Sequence, residues 1–341
     1  MPERLVKHLI TALSLLVMVW SGTTYAARPT EPPTKELTRN LTYVILAEAL
    51  AKPAINKVVF RRIQAFGSET DSKVTLRMKP QAYEAIELER RYVIAYSSVK
   101  SDRQFHDHKY IDPKGPRLKN VRGLGTPAVF ENTPEVRYLF DTAGKNPPAG
   151  EVVNALLRQM ARPDEWTRAM VVLEFLLRPE LHGLVSKMDR EAFDAVLSAG
   201  NANSELKTFV LQAAENFPAD VQQNWLDGHY RRALNTLKPE FDLASFEPGF
   251  ALAAINGLGK RGTQSDSKTI KPFLTSNAPS VARAAINAMD KLDRTATLAT
   301  VENLLQDTLW DEDDLIEPQT RQELEAYWLN QHLTQGSERS L

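Results

Sequence analysis

The 341-residue chain contains no cysteine. That absence excludes disulfides, thiol nucleophiles, Cys-x-x-Cys redox pairs, covalent haem attachment and a lipid-modified N-terminal cysteine, so stability must come from packing. Familiar catalytic signatures are missing too: there is no HExxH, GxSxG or SxxK run. Gly123-Leu-Gly125 lacks the strand and third glycine of a dinucleotide fingerprint, and Gly257-Leu-Gly259 reads as a helix end. The apolar run Leu9–Trp20 covers twelve residues, well short of the roughly 20 needed to span a bilayer.

What is present begins with an address. Arg4, Lys7 and His8 precede that apolar run, and Thr24-Tyr25-Ala26 supplies small residues for a signal peptidase. The expectation is a signal peptide over 1–26, cleaved after Ala26, a Pro-rich linker over 27–34, and a periplasmic or secreted protein that is soluble after export. Charge is uneven along the rest. Arg28–Gly125 carries 19 Lys and Arg against 11 Asp and Glu, a net of +8, whereas Thr126 onward carries 21 against 31, a net of −10. Such polarity suits a basic end facing an anionic surface, or two halves that attract each other.

Helical spacing of Leu37, Leu41, Val44, Ile45 and Leu50, then of Ile55, Val58, Val59, Ile63 and Phe66, predicts an αα-hairpin broken at Pro53. Lys73–Lys79 alternates strictly and predicts a short strand at 73–79. Gln81–Ser98 is ambiguous, helical in composition up to Arg91 and rich in β-favouring residues after it. Residues 101–132 carry no helical pattern and read as a basic loop or linker. Beyond it, Thr133-Pro134-Glu135 caps the first of a series of helices with starts near Pro148, Pro163, Asp189, Asn203, Ala219, Pro248 and Pro279.

One stretch is written twice. Phe250–Gly262 and Val281–Asp293 are offset by 31 residues and share six of thirteen positions, among them Ala254/Ala285, Ile255/Ile286 and Asn256/Asn287. A fixed offset of this kind signals stacked helical hairpins. The run Val281, Ala285, Ala288, Met289, with its counterpart Phe250, Ala254, Gly257, Leu258, Gly259, resembles the second helix of HEAT-like repeats. Two departures stand out: the arginine that commonly follows the valine is Ala251 or Ala282, and the offset is shorter than usual. The resemblance implies an all-α fold, a right-handed α-solenoid of HEAT-like hairpins over 133–335 with a tail at 336–341. A mainly helical region over 35–100 would precede it.

Candidate site residues are few. His106 and His108, with Asp107 or Asp112 nearby, have the donor types for a metal, but a solvated loop explains them as well. Arg103, Lys109, Lys114, Arg117, Lys119 and Arg122, interleaved with Phe105 and Tyr110, form a basic segment suited to an anionic partner. Exported proteins seldom meet nucleic acid, so an anionic envelope component or a protein is the expected partner. Trp310-Asp-Glu-Asp-Asp314 lacks the spacing of a calcium loop. Glu174 is a lone carboxyl in the most apolar helix. Together these lead to the expectation of a non-enzymatic, cofactor-free scaffold or adaptor in the envelope. The alternative is an envelope hydrolase or wall-modifying enzyme with a site near the His106/His108 loop.

Overall fold

Alternate residues of the apolar run at Tyr43 point into two different cores, which only an extended chain allows. The computed structural model describes residues 31–39, 42–98, 114–200, 203–306 and 317–338. In it Tyr43–Ala54 is strand β1. Ile45, Ala47 and Ala49 belong to one buried cluster, whereas Val44 and Leu46 belong to another. A strand covered on both faces needs apolar residues at every position, and such a run satisfies a helical spacing by accident. The expected αα-hairpin is therefore a β-hairpin, in which β1 pairs antiparallel with β2 (Lys57–Phe66). Asn56 takes the left-handed conformation (φ 60°) at its tip. Pro53 falls between the pairs Ala51–Val59 and Ala54–Lys57, where the register shifts, a position that tolerates a missing N–H.

Strand β3 (Lys73–Arg77) occupies the alternating segment, followed by a short helix α2 (Pro80–Ala85) and strand β4 (Arg91–Ser97). Residues assigned from sequence to a loop or linker contribute β5 (Arg117–Leu118) and β6 (Val129–Glu131). The sheet runs β1-β2-β3-β5-β4 and closes by pairing β4 with β1, while β6 flanks β4. Every pairing is antiparallel except β3 with β5. This closed five-stranded mixed barrel overturns the all-α expectation and the mainly helical reading of 35–100. Val58, Phe60, Leu76, Ile94 and Tyr96 fill its interior, and Ala82 and Ile86 of and after α2 pack against them.

The outer side of β1 and β4 is the seat for the helices. Val44, Leu46, Val93 and Ala95 join one continuous core with α3 (Pro134–Asp141), α4 (Ala149–Met160) and α5 (Glu165–Leu176). Phe130 of β6 stacks on Phe140 at 5.5 Å between centroids. Local signals set these helices as expected: the Thr133 side chain accepts from the Val136 N–H, and Asp164 does the same for Thr167. Beyond α5 the chain builds two packed rows. The first holds α4, α7 (Arg190–Leu197), α10 (Trp225–Thr236) and α12 (Ser267–Ile270). The second holds α5, α8 (Ser204–Ala214), α11 (Glu247–Arg261) and α13 (Pro279–Gln306), with α14 (Pro318–Glu338) closing the end.

The duplicated stretches are α11 and the first part of α13, packed against each other. Both end at the same position of the repeat: α11 is capped by Gly262, and α13 is broken by non-helical dihedrals at Asp293 (φ −161°, ψ 90°). Their small residues set the helix spacing. A methyl added at Gly259 would lie 2.7 Å from the Ala288 Cβ, and one at Gly257 would lie 2.2 Å from the Tyr230 ring. Although Ala251 and Ala282 replace the arginine of the resembled repeats, polar links between repeats do exist elsewhere. Asp194 accepts from Trp225 Nε1 (2.9 Å) and pairs with His229 Nε2 (2.5 Å), and Arg231 grips Asp266 through two bonds (2.6 and 2.9 Å). These three acids and bases come from neighbouring repeats about one repeat length apart in sequence.

Gly257→Ala should lower stability by about 1–3 kcal/mol in urea denaturation, because the Tyr230 ring must leave its place. Gly228→Ala, inside α10 with nothing within 4 Å of the added carbon, should be neutral or stabilise by up to about 1 kcal/mol.

Candidate ligand-binding face of the barrel

Strand register decides which charges share a face. Phe60 and Leu76 point into the barrel, so their neighbours Arg61 and Arg77 point outward. Lys57 lies opposite Arg77, and Arg77 lies opposite Arg117 on β5. Three cations therefore form one row across β2, β3 and β5. The residues beyond its ends are Ala54 on β1 and Ser97 on β4, so no acid sits in the row. A second row, four residues along, is composed differently: Arg61 lies opposite Lys73 on one side and opposite Glu48 on the other, with which it forms an ion pair. Val59 and Thr75 lie opposite each other between the two rows.

Of the six basic residues singled out from sequence, Lys114, Arg117, Lys119 and Arg122 are described. Arg103 and Lys109 lie outside the described residues, as do His106, His108, Asp107, Asp112 and the acidic run at Trp310–Asp314. Arg117 belongs to β5 itself, and Lys114 is exposed just before it. Lys119 and Arg122 follow it on the way to β6; both act on Glu36, whose carboxyl burial pushes up and whose two cations pull back down, Arg122 more than Lys119. The candidate segment is thus the connection between β4 and β5, and it enters the barrel at the cationic row. Lys57, Arg61, Lys73 and Arg77 were missed. The alternation at 73–79 placed Lys73 and Arg77 on one polar face, but nothing in the sequence says which strand lies beside it.

Glu174 does not face a groove. It is fully buried and accepts from the Thr34 N–H (2.9 Å), the Thr34 hydroxyl (2.7 Å) and Arg178 Nε (2.8 Å). It thereby clasps the short N-terminal helix α1 (Pro33–Leu37) onto α5, a structural duty that uses up its acceptors. A cleft of about 410 Å³ between barrel and helices, lined by Glu87, Arg90, Tyr92, Glu131, Asp164 and Trp166 among others, gathers carboxylates that are already engaged. Glu87 pairs with Arg90 (3.0 Å), and Asp164 caps α5. Arg162 holds Glu131 through two bonds (2.7 and 2.8 Å) and keeps its carboxyl below the usual range. A general acid needs the opposite shift. Among the described residues no three His, Asp or Glu side chains converge as a metal site would require, and no helix is long and apolar enough to cross a membrane.

Replacing Glu174 by Ala strands the partly buried Arg178 and the Thr34 N–H, and should cost about 3–5 kcal/mol in denaturant titration. Thr34→Val keeps the backbone bond and should cost about 1–2 kcal/mol. In comparisons with known protein families, with curated proteins and with solved structures, nothing matches this chain.

Proposed function

We propose that this protein is an exported, non-enzymatic scaffold in which a stack of HEAT-like helical hairpins carries a small barrel that binds an envelope component. The observation that carries the reading is the barrel's connectivity. A closed order β1-β2-β3-β5-β4, one parallel pair between β3 and β5, and a helix between β3 and β4 are the plan of oligonucleotide/oligosaccharide-binding barrels. In those barrels the outer face of strands 2 and 3, together with the loops joining strands 1–2 and 4–5, takes the ligand. Here that face carries the rows at Lys57 and Arg61, and the 4–5 connection is the basic, aromatic-containing segment. Shared architecture is an analogy and function resides in the site. The support comes from both pointing to one face.

The helical half suits presentation better than catalysis. Its inter-repeat bonds, such as Arg231 with Asp266, fix neighbouring hairpins, and such stacks generally offer extended surfaces to protein partners. The signal peptide expected at 1–26 places this work in the periplasm or outside the cell.

Sedimentation with isolated envelope fractions tests the proposal. The mature chain should co-sediment, and a variant with residues 101–113 replaced by a Gly-Ser spacer should lose at least about tenfold in affinity, in line with loss of several charged and stacking contacts. An envelope fraction that binds both equally, or turnover of a wall substrate that disappears with His106→Ala/His108→Ala, would reject it in favour of the hydrolase.

A further inference from the structure

The row Lys57–Arg77–Arg117 runs against a rule of sheet construction. Like charges placed directly opposite each other on neighbouring strands destabilise a sheet, and exposed sheets ordinarily alternate sign to avoid this. The neighbouring row obeys the rule: Arg61 is flanked by Lys73 but also by Glu48, with which it pairs. Two adjacent rows on one face, built by the same strands, differ in whether an acid is supplied. Resting on the reading of this face as the ligand site, we infer that it takes a linear polyanion laid across the strands, whose negative groups supply the acid that the row at Lys57 lacks.

Geometry fixes the footprint. Adjacent strands are about 4.8 Å apart, so the three cations span roughly 10 Å across β2, β3 and β5. The second row stands about 13 Å away along the strands. Val59 and Thr75 form the floor between the rows, with no acid among them. Ligand groups spaced at this scale along a flexible backbone meet the cations one after another; a single small anion would meet only part of the row. The basic connection continues the path from Lys114. Phosphodiester and carboxylate polymers share the necessary chemistry.

Lys57 is the residue that separates function from structure. It is exposed, at the start of β2, beside the hairpin tip. Lys57→Glu places an acid opposite Arg77 and completes the row in the way Glu48 completes the other. The substitution should raise Tm by about 1–2 °C, while weakening polyanion binding at least about tenfold and flattening the slope of log K against log salt by about one to two.

Binding of the full mature chain is measured by fluorescence anisotropy or sedimentation against long-chain inorganic polyphosphate, polygalacturonate and neutral dextran at several salt concentrations. Salt-dependent binding to polyphosphate alone assigns phosphate polymers, to polygalacturonate alone carboxylate polymers, and to both a general polyanion site; each supports the inference. Lys268→Glu on α12, exposed and far from the barrel strands in sequence, makes the same charge change and should leave affinity and slope unchanged. Equal, salt-insensitive binding to dextran overturns the inference, as does a Lys57→Glu protein that binds normally or that loses Tm together with affinity. If envelope fractions still bind the chain but neither charged polymer does, the polyanion is refuted while the scaffold reading stands; if envelope fractions fail as well, both fall.

Discussion

Everything else in the molecule depends on two strands being buried on both faces. β1 and β4 close the barrel with one set of side chains and seat the helices with the other. At roughly 25 cal/mol per Å² of apolar surface, removing both faces of a strand from water contributes about twice what a half-exposed strand would. The same arrangement makes barrel and helices interdependent, because Val44, Leu46, Val93 and Ala95 have no other partner core than the one shared with α3 to α5. The outer face of β2, β3 and β5 is the opposite case. It carries no helix, keeps its polar side chains in solvent, and is left for recognition.

That division explains what could and could not be read from the residues. The helices after Thr133 were legible because caps and prolines act locally: Thr133, Asp164 and Asn203 each accept an N–H bond within three residues. The duplicated helices were legible because Gly259 and Ala288 must be small where the two pack together. β1 was misread as a helix because a doubly buried strand shows no alternation, whereas β3, with a wet face and a dry one, alternates cleanly. The closing strand β5 spans only Arg117–Leu118, too short for any periodicity. Half of the candidate site followed the same logic: a basic segment is visible as composition, but the row it joins exists only through register between residues 57, 77 and 117.

Glu174 illustrates how an unusual residue can mislead in a useful direction. A carboxylate in an otherwise apolar helix invites a catalytic reading, yet burial of a charge is tolerated wherever it is fully hydrogen-bonded. Here the partners come from opposite ends of the local chain, Thr34 140 residues upstream and Arg178 one turn downstream. The sequence signal was correct in marking the position as special and silent on the partner that makes it so.

The clasp at Thr34 also changes what kind of object the barrel is. The chain enters the barrel from α1, pinned to α5, and leaves it through β6, whose Glu131 N–H is held by Thr167 of the same helix. Both covalent exits are therefore riveted to one helix. A lobe on a single tether can swivel, but one fixed at two points on a common strut cannot turn without breaking a rivet. Tension on a ligand held by the barrel would be delivered directly to the first hairpin of the stack, as a load passes from a bracket into a beam.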